Sequence, residues 1–132
     1  MDSQEKEIIA VFDKQVIDDF TMNYIAQSER AEIRTRLANN TSLGVRFTDT
    51  ENKTLFCAII DIEPVSRCIH VREVGGLFGR CYECLDSFCH GLMQLFDYKT
   101  VSFVTEKRAV KKWAAKMGYS PLDDKEFVKG LQ

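Results

Sequence analysis

The sequence has no apolar run near the roughly 18 residues that a membrane-spanning helix needs, which excludes such a helix. It also lacks a basic-then-apolar leader: its first ten residues, MDSQEKEIIA, are acidic. A cytoplasmic protein is therefore expected. There is no basic excess either. Eighteen Lys and Arg against twenty Asp and Glu give a net charge of −2, which disfavours a dedicated nucleic-acid binder. An even cysteine count is missing, and five cysteines without a secretory leader read as reduced thiols rather than a disulfide framework. No repeat, linker or low-complexity segment interrupts the chain, and 132 residues fit one domain with a real core.

What is present is a regular succession of periodic segments. Residues 7–13 (EIIAVFD) are β-branched and aromatic and predict a first strand. Val16, Ile17, Phe20 and Tyr24 recur at helical spacing, and residues 28–37 predict a second helical piece that stops at Asn39-Asn40. SLGVRFTD alternates Leu43, Val45 and Phe47 inward, and the polar DTENK makes a hairpin turn. TLFCAIIDIEP is apolar almost throughout, as a central strand requires. RCIHVREV alternates Cys68, His70 and Arg72 against Ile69, Val71 and Glu73.

Residues 82–98 predict a helix with Leu85, Phe88, Cys89, Leu92, Leu95 and Phe96 on one stripe. TVSFVTEK is a short strand. RAVKKWAAKMGY is an amphipathic helix with Val110, Trp113, Ala114 and Met117 on its apolar face and Gly118 as its stop. DDKEFVKGL ends the chain as a last strand. The order defines an α/β layer design with a mixed sheet, whose strand–helix–strand unit crosses over right-handed.

The stretch GGLFGRCYECLDSFCH carries the densest chemistry. Cys81, Cys84, Cys89 and His90 have the residue types of a zinc knuckle. Four ligands within ten residues need a looped backbone, however, and the intervening YE and LDSF suit a helix. The cysteines therefore read as packing, and no metal is expected. Cys81, beside Arg80 at a helix start, is the thiol best placed for a lowered pKa.

Element order and two local segments resemble the GNAT family of N-acetyltransferases. Gly76-Leu77-Phe78-Gly79-Arg80-Cys81 stands where that family carries a Q/R-x-x-G-x-G/A loop between its fourth strand and the next helix. The resemblance implies a GNAT-like mixed sheet flanked by helices on both faces, with residues 1–132 forming one acetyltransferase-like domain. It further implies acetyl-CoA as cofactor, with Val74, Gly75, Gly76, Gly79, Arg80 and Cys81 around the pyrophosphate. Glycine lets backbone donors approach a phosphate, and a helix N-terminus adds partial positive charge.

RAVKKWAAKMGYSPL resembles the family's later helix, with Gly118-Tyr119 in place of the terminal Gly-Phe. The chain departs from the pattern in three ways. Gly76 replaces Arg or Gln, Ala114 stands where a general-acid tyrosine is usual, and Thr105-Glu106-Lys107 replaces an Asn. By analogy Glu73 is the candidate base and His70 the second choice. The basic run Lys107, Arg108, Lys111, Lys112 and Lys116 reads as a solvated helix face, or as a grip on the CoA 3′-phosphate or on a nucleic-acid backbone; the resemblance places Lys107 among the cofactor-binding residues. If the protein is an enzyme, its partners are an acyl-CoA and an amine acceptor. EVGGLFGR and TEKRAVKKWAAKMGY also resemble small acetyltransferase-like head-assembly proteins of short-tailed phages. That resemblance implies a non-catalytic alternative, with capsid or portal assembly proteins as partners in a host cytoplasm or virion.

Overall fold

The computed structural model describes residues 7–76 and 81–130. In chain order the elements are β1 (Ile9–Phe12), α1 (Gln27–Ala38), β2 (Ser42–Thr48), β3 (Thr54–Glu63), β4 (Cys68–Gly75), α2 (Cys81–Phe96), β5 (Thr100–Val104), α3 (Arg108–Lys116), β6 (Ser120–Pro121) and β7 (Glu126–Gly130). Among the described residues the strands form one sheet in the order β1-β2-β3-β4-β5-β7-β6. The β4–β5 pair is parallel and every other pair is antiparallel. Helix α2 makes the crossover that a parallel pair requires.

β3 is central because both of its faces are covered. Cys57 and Ile59 join Ile33 and Leu37 of α1 in one buried cluster. Phe56, Ala58 and Ile60 join Leu85 and Cys89 of α2 and Ala114 of α3 in the other. A strand buried on both sides reads as a nearly unbroken apolar run, which TLFCAIIDIE is. Helices thus flank both faces of the mixed sheet, as expected.

Two expectations need correction. The helical tract through Val16, Ile17, Phe20 and Tyr24 is instead a pair of short 3-10 turns, Val16–Asp18 and Phe20–Met22. The cause lies in two carboxylates. Asp13 accepts from the Gln15 amide at 2.8 Å and Asp19 from the Thr21 amide at 2.9 Å, and these local bonds compete with a continuous helix. The α2 stripe also ends early, since Leu95 and Phe96 are exposed where the helix runs past the sheet.

Candidate functional site

The parallel ladder between β4 and β5 ends at Val71↔Phe103. Beyond it β4 continues to Gly75, so residues 72–75 have no strand partner on that side. A cavity of about 450 Å³ occupies the gap. Its lining includes Thr21 and Tyr24 from one face of the sheet, and Leu85 and Cys89 of α2 from the other. The split therefore makes a passage through the sheet.

A bulge sets the chemistry on β4. Ile60 pairs with Val71, but Ile59 pairs with Glu73, so Arg72 is the extra residue. Strict alternation would put Arg72 and Glu73 on opposite faces. The bulge puts both on the face of Ile59 and Asp61. Arg72 Nε donates to Asp61 at 2.8 and 3.1 Å. Asp61 is buried, accepts from Ser42 Oγ at 2.5 Å and has Arg36 3.5 Å away. Arg72 is thereby held off Glu73.

Glu73 is half-buried, and its nearest polar partner is the Tyr24 hydroxyl, 3.3 Å from Oε1. The same hydroxyl donates to the Val74 carbonyl at 2.8 Å. Burial pushes the Glu73 carboxyl above the usual range; the Tyr24 hydrogen bond opposes this, the charge of Glu29 adds to it, and the charge of Arg72 opposes it. Burial and then the Glu73 charge push the Tyr24 phenol up as well.

Residues 19–25 can cross the end of β4 only because Gly75 has no side chain. A Cβ there would sit 2.1 Å from the Thr21 carbonyl oxygen. Gly76 follows at φ +102°, a conformation that favours glycine.

The far wall is aromatic. The Tyr82 ring, in the first turn of α2, lies 5.2 Å from Trp113, which also contacts Phe103 and Tyr119. Burial, with Cys81 adding, raises the Tyr82 phenol, and its hydroxyl has no hydrogen-bond partner among the described residues. Tyr119, by contrast, donates to Asp86 Oδ1 at 2.6 Å, and Lys129 holds the other Asp86 oxygen at 3.2 Å. Burial pushes the Cys89 thiol up to about 12, with Asp86 adding to the effect, so it stays protonated near neutrality.

Of the residues singled out in the sequence, Glu73, Val74, Gly75, Gly76 and Lys107 all line this cavity. His70 does not. Its Nδ1 lies 2.9 Å from Ser102 Oγ, across the intact part of the β4–β5 ladder. Cys81 is buried against the α2-side core and is not part of the lining. Gly79 and Arg80 lie outside the described residues. Cys81, Cys84, Cys89 and His90 run along one continuous helix. Ala114 is fully buried in the core. Tyr24 and Arg72 are the site residues that sequence reasoning missed. Tyr24 was part of an apparent helical stripe, and nothing local signals a partner 50 residues away.

No family model and no curated protein matches this sequence. Solved structures do match its fold. An IAA acetyltransferase from Bacillus cereus has a TM-score of 0.73 at 10% identity, covering 95% of this chain and 100% of that one. A variant of the spermidine N-acetyltransferase of Vibrio cholerae has a TM-score of 0.71 at 7% identity, with 93% of each chain covered. A GNAT-family acetyltransferase from Listeria monocytogenes has a TM-score of 0.70 at 10% identity, covering 94% and 95%. The chain has the GNAT fold. At these identities the likeness is one of fold.

Proposed function

We propose that this protein transfers an acetyl group from acetyl-CoA to the nitrogen of an amine. One observation carries the reading: a half-buried carboxylate, Glu73, faces a passage between parting strands, and the neighbouring arginine is held elsewhere by Asp61. The cavity suits a long acyl-carrying arm, because it is lined from both faces of the sheet and apolar at its α2 wall. Val74, Gly75 and Gly76 would flank the arm, and Lys107 at the mouth would offer a cation to its phosphates. Gly79, Arg80 and Cys81 would complete the loop that the sequence pattern suggests. Bound acetyl-CoA would supply an activated thioester carbonyl.

The chain's own groups then handle two protons. A Glu73 carboxylate oxygen takes the proton lost by the attacking amine nitrogen. The Tyr82 hydroxyl gives one to the departing sulfur, since Tyr119 is engaged with Asp86. Net proton transfer from nitrogen to sulfur balances the reaction. The spermidine enzyme among the similar structures makes aliphatic amines the first acceptors to try.

Calorimetric titration with acetyl-CoA, followed by thiol release with a panel of amines, tests the reading. Binding and amine-dependent release are expected, with a rate loss of about 10²- to 10⁴-fold in Glu73→Gln. No binding at millimolar acetyl-CoA would overturn it and leave the non-catalytic assembly role with phage capsid or portal proteins.

A further inference from the structure

The segment that carries Tyr24 is built rather than draped. A single guanidinium, that of Arg30 on α1, donates to three of its backbone carbonyls or those beside it: Ile17 at 2.6 Å, Met22 at 2.7 Å and Ile25 at 2.8 Å. Asp19 caps its 3-10 turn, Met22 is fully buried beneath it, and Gly75 lets it touch β4. Tyr24 itself is 56% exposed, so packing of its ring does not account for this investment. The arrangement buries Val16, Ile17, Met22 and Ile25 against α1 and β3, and at its exposed end it places one hydroxyl.

That hydroxyl serves Glu73 in both protonation states. It has one hydrogen and two oxygen acceptors within reach, the Val74 carbonyl at 2.8 Å and Glu73 Oε1 at 3.3 Å, with the weaker Met22 sulfur at 3.9 Å. With Glu73 ionised, the phenol donates toward the carboxylate and tethers Oε1 to the wall. With Glu73 protonated, the acid can donate to the phenol oxygen while the phenol donates to Val74. The Val74 carbonyl shares the hydroxyl's one hydrogen with the ionised carboxylate and has it to itself when Glu73 is protonated, which suits a group that gains and loses a proton in each cycle.

We infer that Tyr24 is a positioning residue for Glu73: by bridging the Val74 carbonyl and Glu73 Oε1, it fixes one carboxylate oxygen and leaves the other to face the acceptor. This rests on the reading of Glu73 as the base. Losing Tyr24 would remove a donor that favours the ionised carboxylate, so Glu73 would hold its proton to higher pH.

The test uses the full chain with Tyr24→Phe, which keeps the exposed ring and removes only the hydroxyl. Carbon-detected NMR titration of labelled glutamate side chains reads Glu73 directly, with Glu73→Gln assigning its signal. The Glu73 midpoint should move to higher pH in Tyr24→Phe. In steady-state assays kcat should fall by about ten- to a hundredfold with KM for acetyl-CoA unchanged, and the acid limb should move up with the midpoint. An unmoved Glu73 midpoint overturns the inference whatever the activity. If Glu73→Gln leaves the rate and the acid limb intact, it is the reading of Glu73 as base that fails, and the NMR midpoint still decides whether Tyr24 governs that carboxylate.

Discussion

Arg72 and Glu73 are consecutive in the chain yet lie on the same side of the sheet, and Asp61 rather than Glu73 takes the arginine's hydrogen bonds. The bulge and the buried aspartate act together. One aims the carboxylate into the passage, and the other takes up the hydrogen-bonding capacity of Arg72, whose charge still opposes the upward push that burial gives Glu73.

The pH dependence of the reaction should show it. Burial raises the folded-state pKa of Glu73, so as the proposed base it becomes protonated, and idle, at a higher pH than an ordinary carboxylate would. The rate should therefore fall on acidification with an acid limb above the ordinary glutamate range of about 4.3. Glu73→Gln should abolish that limb rather than move it. A pH profile of kcat/KM under saturating acceptor reads both.

Gly75→Ala should separate Tyr24 from Glu73 without touching either. The new methyl meets the Thr21 carbonyl at 2.1 Å, and backbone cannot yield as a side-chain tip can. Residues 19–25 must lift. A loss of about 1–3 kcal/mol in urea unfolding is expected, together with a fall in activity like that of Tyr24→Phe. Unchanged stability would contradict the close packing described here.

Two tyrosines on one wall should respond in opposite ways. Tyr82→Phe removes a hydroxyl without a partner among the described residues, so kcat should drop while stability holds within about 0.5 kcal/mol. Tyr119→Phe strips a donor from the buried Asp86 and should cost about 1–3 kcal/mol of stability. Thermal melts beside single-turnover rates separate the two.

Acid stability should depend on Arg46. Its guanidinium contacts Asp13 at 2.9 Å and also binds Asp19. The Gln15 amide above all holds the Asp13 carboxyl low; for Asp19, burial pushes upward but the Thr21 amide and Arg46 outweigh it. Carboxylates with depressed folded values stabilise the protein above the unfolded pKa of about 3.9 and lose that contribution as pH falls through the folded values. Asp19→Asn should unfold at lower urea than the parent at pH 7, and the gap should close as the solution is acidified.

Much of the fold is legible because burial writes itself into periodicity. TLFCAIIDIE announces a strand covered on both faces, and RAVKKWAAKMGY announces a helix with one wet side. The bulge is not legible, since CIHVREVG alternates plausibly whether or not Arg72 is skipped in the pairing. Val16, Ile17, Phe20 and Tyr24 carry a helical spacing that the carboxylates of Asp13 and Asp19 override. In the site, Glu73 and the glycines could be found from their place at the end of the fourth strand, together with the family resemblance. Tyr24 could not, because its role depends on a contact between segments about 50 residues apart.

The passage through the sheet has a kinetic consequence. Its lining comes from both faces of the sheet, so in the proposed acetyl transfer donor and acceptor would approach from opposite sides and neither would have to leave before the other arrives. Their meeting point would be the split between β4 and β5, with both present at once. Initial-rate plots with the two substrates varied against each other would then give intersecting lines, the pattern of a ternary complex, and the acyl group would never reside on the protein.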